Sequence, residues 1–94
     1  MSLECLVTVS NPLGLHARPS ARLVTVASQF KSRILIRRMD DLSFVDASSI
    51  LSVMFLAASH GTRLVIRAEG EDERAALAAV VALFTETQES SHVF

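Results

Sequence analysis

The order of segments predicts an α+β fold: a four-stranded antiparallel sheet with three helices on one face, in the order βαββαβα. Three observations carry this reading. Four short runs are rich in β-branched and aliphatic residues, with an apolar residue at every second position. Three other segments repeat apolar residues at helical spacing. The two middle strands are separated only by a turn around residues 39–42, which demands a hairpin between them.

Residues 3–9 form the first strand, with Cys5, Val7 and Val9 on one face by alternation. Asn11, Pro12, Leu13 and Gly14 make a turn. Residues 17–29 read as a helix whose stripe is Ala17, Ala21, Val24 and Ala27, flanked by Leu23 and Phe30. Residues 32–38 are the second strand: Ile34 and Ile36 face one way, Arg33, Leu35 and Arg37 the other. Residues 43–46 return as a short strand, and residues 49–57 follow as a short apolar helix. His60 and Gly61 close that helix, with His60 read as a residue favoured by the negative end of its dipole. Residues 62–68 alternate again, with Leu64 and Ile66 inward. Gly70 breaks the chain, and Glu71 and Asp72 open the last helix at its positive end. That helix buries Ala76, Val80 and Leu83, with Leu77 and Phe84 alongside.

All 94 residues read as one domain, with a core over about 3–86 and a polar tail from Thr85 to His92 expected to fray. Nine Lys and Arg stand against ten Asp and Glu, which argues against nucleic-acid binding. Cys5 is the one cysteine, so no intrachain disulfide can form. No run approaches the roughly 18 apolar residues of a membrane span, and Met1 to Glu4 do not begin a signal peptide. The expectation is a soluble, cytoplasmic monomer that does not insert into membranes.

Chemistry concentrates at residues 11–20. Gly14 can take a positive φ and let the chain turn sharply beside a ligand. The following helix offers unpaired N–H groups at its start and the positive end of its dipole, where an anion is stabilised. Pro19 lies in the first turn, where its missing N–H costs nothing. The amides of Ala17 and Arg18 are left for phosphate oxygens, and the Arg18 guanidinium adds a permanent cation two residues from His16. Imidazole is nucleophilic when neutral, and a phosphoryl group on a ring nitrogen is labile enough to pass on. His16 and Arg18 are therefore the residues expected to carry phosphoryl chemistry, by positioning and charge stabilisation rather than through a buried general base.

Ser49 precedes an apolar helical run, where a serine caps the first turn; phosphate there would also suit the helix dipole. Ile50, Leu51, Met54 and Phe55 cluster on the same short helix. Two of them are expected in the core and the rest in a partner-docking patch. Arg37 and Arg38 read as a solvated basic run. His60 and His92 have no metal-ligand spacing with His16 or Cys5, and no Ser-His-Asp set is present, so neither a metal nor a cofactor is expected.

The run Gly14-Leu15-His16-Ala17-Arg18-Pro19-Ser20 resembles the active-site signature of the histidine-containing phosphocarrier family, HPr, of the bacterial phosphotransferase system. Residues 49–54 resemble its second signature, residues 61–73 its last strand and turn, and the likeness spans roughly residues 3–86. Residues 11–19 and 75–84 look more like the nitrogen-related branch, which serves regulation rather than sugar uptake. The resemblance implies an open-faced β-sandwich. It implies that His16 accepts phosphate, through ring Nδ1 and with help from Arg18, from enzyme I charged by phosphoenolpyruvate. His16 then donates to a histidine of an enzyme IIA-type protein. The chain is by this likeness a phosphoryl carrier rather than an enzyme. The likeness further implies that, in some lineages, a dedicated serine kinase and phosphorylase act at Ser49 and so weaken enzyme I docking; Ser48 is a neighbouring alternative. Ser20 stands where the family usually has Ala, and its hydroxyl is expected to assist phosphate binding. The competing reading is a regulatory protein-binding module switched by phosphorylation of His16 or Ser49. A small ligand or RNA binder is a third class, weakened by neutral charge and the lack of stacking aromatics.

Overall fold

A computed structural model describes residues 2–85 of the chain. The polar tail expected to fray falls almost wholly outside them, as does His92. The elements are β1 (Ser2–Thr8), α1 (Ala17–Ala27), β2 (Arg33–Arg38), β3 (Val45–Asp46), α2 (Ile50–Phe55), β4 (Arg63–Glu69) and α3 (Glu73–Thr85). The sheet order is β1-β4-β2-β3 with every pair antiparallel. This is the expected open-faced α+β architecture.

Register follows from the alternation. Cys5, Ile66, Ile36 and Val45 are cross-strand partners in one continuous row, and Val7 pairs with Leu64. Because side chains alternate across a strand, these rows share one face with Ile34 and Ala68. Ile34, Ile36, Leu64, Ile66 and Ala68 are all buried on that face. The helices complete the core with Leu23 of α1, Val53 of α2, and Ala76, Val80, Leu83 and Phe84 of α3. Full burial of one such Leu or Ile contributes about 1.5–3 kcal/mol.

The stripe of α1 differs from the expected one. Ala17 and Ala21 are exposed, and the buried set is Pro19, Ser20, Leu23 and Ala27. Leu23 carries far more apolar area than any alanine, so the helix rotates to bury it, and the i, i+3, i+4 neighbours follow. Ser20 can join the core because its hydroxyl donates to the Leu15 carbonyl at 3.0 Å.

The open face covers itself in part. Glu4 pairs with Arg67, and the guanidinium carbons of Arg37 and Arg67 lie 5.1 and 4.5 Å from the centre of the Phe44 ring. Arg37 and Arg38 are therefore not a solvated run. Adjacent strand residues point to opposite faces, so Arg37 covers Phe44 while Arg38, opposite Leu64, lies on the helix face at the sheet's end. There its Nη1 donates to the carbonyls of Leu56 and Ala57 at 3.1 and 3.2 Å, closing the C-terminus of α2. The role expected of His60 thus belongs to Arg38. His60 is exposed in a turn closed by the Thr62 amide on the Ser59 carbonyl, beyond the end of α2.

At the far end, Asp72 joins α3 to β2. Its carboxylate accepts from the amides of Lys31 and Ser32 at 3.0 and 2.8 Å and from the Ser32 hydroxyl at 2.5 Å. The Ser32 hydroxyl and the Lys31 amide hold this carboxyl down to about 2.

Candidate functional site

The site is built from the end of β1. Asn11 and Gly14 close a turn through a 2.9 Å bond from the Gly14 amide to the Asn11 carbonyl, and the Asn11 side chain accepts from the Leu13 amide at 2.9 Å. Gly14 has φ +75°. A Cβ there would lie 2.7 Å from the Ala58 carbonyl oxygen and 2.9 Å from the Ser59 Cα. The glycine is thus required twice, for its φ and for the close approach of the segment after α2. The Leu15 amide then donates to Ala58 O at 2.8 Å, and Leu15 is buried.

His16 follows as the N-cap of α1. Its backbone is extended (φ −81°, ψ −167°), its carbonyl accepts from the Ser20 amide at 3.0 Å, and its side chain makes no capping bond. A cap normally uses its side chain to satisfy an N–H of the first turn. Here the half-buried imidazole is left for other work. Pro19 has no N–H, and the amides of Ala17 and Arg18 have no acceptor among the described residues. The first turn holds no acidic residue, so nothing in it opposes an anion. Arg18 is exposed and its guanidinium is not bonded among the described residues. His16, Ala17 and Arg18 lie together at this helix start. Ser20 is not part of that anion site, because its hydroxyl is buried and spent on Leu15.

Helix α2 packs against α1. Ser49 is its N-cap, and its Oγ accepts from the Ser52 amide at 3.4 Å. Ser48 differs: its hydroxyl and amide reach the Asp46 carboxylate at 2.6 and 2.8 Å, bonds that lower the Asp46 pKa. Of the two serines, Ser49 has the less committed hydroxyl. None of the four apolar residues singled out on α2 lies in the core. Ile50 is 39%, Leu51 67%, Met54 43% and Phe55 83% exposed, and the helix buries Val53 instead. The segment does make two core contacts, but at Val53 and, three residues on, at the C-cap Leu56, so the face turned inward is not the one that carries the expected pair. Sequence reasoning missed Leu13, which is 78% exposed on the turn before His16. The available signal was an apolar residue at the tip of a Pro-Leu-Gly turn, where nothing can bury it. Among the described residues no group of His, Cys, Asp and Glu is placed to hold a metal, and no helix is long and apolar enough to cross a membrane.

A family model described as the PTS HPr component phosphorylation site matches residues 3–86. A phosphocarrier protein HPr from Xylella fastidiosa is 46% identical over 82 residues, covering 87% of this chain and 90% of that protein. A phosphocarrier protein NPr from Klebsiella oxytoca is 36% identical over 84 residues, covering 89% and 92%. Among solved structures, an HPr from Thermoanaerobacter tengcongensis has a TM-score of 0.81 at 39% identity, over 87% of this chain and 90% of that one. An HPr from Bacillus anthracis has 0.79 at 38%, over 86% and 94%.

Proposed function

The chain belongs to the HPr family of the phosphotransferase system, whose members are phosphocarriers rather than enzymes, and from that premise we propose that His16 is the phosphoryl acceptor and donor. The observation that carries this reading is an N-cap histidine whose side chain caps nothing, at a helix start with two amides that have no acceptor among the described residues.

The step is an in-line transfer between two imidazoles. The unprotonated ring nitrogen of His16 forms a P–N bond while the P–N bond to the donor histidine of enzyme I breaks, and the donor ring keeps that electron pair. Transfer onward to a histidine of an enzyme IIA-type protein repeats this with the roles reversed. The family resemblance points to Nδ1 as the reacting atom. The Ala17 and Arg18 amides and the Arg18 guanidinium stabilise charge on the phosphoryl oxygens. Little covalent machinery is needed, because positioning and electrostatics supply most of the acceleration of such transfers.

Docking falls to Ile50, Leu51, Met54 and Phe55, with Leu13 on the neighbouring turn. Several exposed large apolar side chains on one short helix and an adjoining loop support a contact surface. Ser49 is the residue for regulation by a serine kinase. A phosphate on this cap would favour the helix dipole, yet place two negative charges next to the apolar surface that enzyme I must cover.

The test is incubation with enzyme I, Mg²⁺ and phosphoenolpyruvate, read by intact mass beside His16→Ala. The expected result is one acid-labile phosphate on the wild type and none on the variant. Equal labelling of both proteins, or none on the wild type with an active cognate enzyme I, overturns the assignment. The second outcome leaves the regulatory module.

A further inference from the structure

We propose that Arg38 is a positioning residue: it ties the end of α2 to the His16 turn and so sets the spacing between the docking patch and the phosphoryl acceptor. The inference rests on the phosphocarrier reading above and extends it to a residue far from His16 in sequence.

The argument is a short chain of bonded atoms. Arg38 Nη1 donates to the carbonyls of Leu56 and Ala57 at 3.1 and 3.2 Å. The next carbonyl, Ala58 O, accepts from the Leu15 amide at 2.8 Å, and Leu15 precedes His16. Backbone contact at Gly14 leaves no slack between the two segments, since even a methyl group would strike Ala58 and Ser59. A shift of residues 57–59 is therefore passed to residues 14–15. The guanidinium is itself held, its Nε lying 3.2 Å from an Asp40 carboxylate oxygen.

The clamp closes over a strained residue. Ala57 has φ +51°, a left-handed conformation that disfavours any side chain, and it is the only non-glycine with positive φ among the described residues. Without a donor on its carbonyl, this turn has reason to relax. The patch on α2 and the His16 turn lie on opposite sides of it in the chain of contacts. A partner seated on Leu51 and Phe55 finds the imidazole in range only if this spacing is kept. A displacement of about 1 Å can cost on the order of 10²-fold in rate.

Arg38→Met removes the donors while keeping the apolar stem, and Arg38→Lys restores one cation able to reach one carbonyl. Arg33→Met, which removes an exposed arginine of the open face, is the charge control. Two readouts are taken: kcat and KM for phosphoryl uptake from phosphorylated enzyme I, and hydrogen exchange of the Leu15 amide by NMR. Arg38→Met is expected to lower kcat roughly 10- to 100-fold with KM within about threefold, and to accelerate Leu15 exchange. Arg38→Lys should fall between, and Arg33→Met should match the wild type. The Arg38 side chain is 33% exposed, so the fold should survive its truncation; if it does not, the Lys variant decides. Wild-type kcat and Leu15 exchange in the folded Met variant, or in the Lys variant if the Met variant does not fold, overturn the proposal. So does a loss of kcat with Leu15 exchange unchanged. A wild type that takes no phosphate fails the phosphocarrier reading instead, while Leu15 exchange still tests the clamp.

Discussion

Two helices of this chain start in the same way and end up with opposite duties. Both α1 and α3 follow a strand and a glycine with positive φ, Gly14 at +75° and Gly70 at +142°. Both glycines are crowded by another segment, Gly14 by Ala58 and Ser59, Gly70 by Ser32. At α3 the acidic side chains are engaged: Glu73 accepts from the Gly70 amide at 3.0 Å, and Asp72 gathers three donors from the distant residues 31–32. At α1 they are withheld. The cap is a histidine whose side chain caps nothing, a proline removes one amide, and two amides have no acceptor among the described residues. The comparison teaches that a helix N-terminus becomes an anion site by what its sequence fails to supply. An acid in the first turn makes it structural, and the lack of one leaves the dipole for a ligand.

The sharpest way to break this comparison is to damage both ends equally. Gly14→Ala and Gly70→Ala each place a Cβ within 3 Å of backbone at a positive φ. Each is expected to cost about 2–4 kcal/mol in urea unfolding. Only Gly14→Ala should also slow phosphoryl uptake per folded molecule, by tenfold or more. Equal uptake by the two variants would mean that the geometry of the Gly14 turn is irrelevant to His16.

A second test separates the ends by pH. The Asp72 carboxyl is held near 2 in the folded chain, below its value near 4 when unfolded. Its contribution is therefore complete above about pH 4–5 and lost as pH falls through 4 towards 2. Asp72→Asn should lower the urea midpoint at pH 6 and narrow the difference from wild type at pH 2.5. Phosphoryl uptake at neutral pH should be unaffected. An identical pH dependence in the two proteins would show that Asp72 does not couple to folding.

The smallest effect concerns strain on the functional side. Ala57→Gly relieves a left-handed alanine but adds freedom to the unfolded chain, for a net gain of about 0.5–1 kcal/mol by thermal unfolding. A loss of stability would mean that the Ala57 methyl contributes packing that outweighs its backbone cost.

Much of the fold was legible because alternation is a local property. Ile34 and Ile36, or Leu64 and Ile66, reveal their shared face whatever lies above them, and α3 shows its stripe through Ala76, Val80 and Leu83. Helix α1 was misread because its apolar residues spread over more than half of its circumference, and the deciding factor was which one found the deepest site. The Ser20 hydroxyl was assigned to phosphate for a similar reason: its partner, the Leu15 carbonyl, lies in the turn before the helix and shows no signal in sequence. Arg37 and Arg38 misled most. Side by side they read as one basic run, yet the pleat sends one over Phe44 and the other beneath α2.

The sequence by itself determined the strands, the hairpin, the helix starts and the run from Gly14 to Pro19, since each depends on neighbours within a few residues. Tertiary structure alone decided that Val53, rather than Ile50, Leu51, Met54 or Phe55, fills the core, and so left a surface for a partner. It alone brought Ala58 to Leu15 and Arg38 to Leu56, contacts between residues about 20 to 40 positions apart. Periodicity states which face of an element is apolar. It cannot say how deep that face sinks, or which carbonyl lies within reach of an arginine, because both are set by elements that only the sheet brings together.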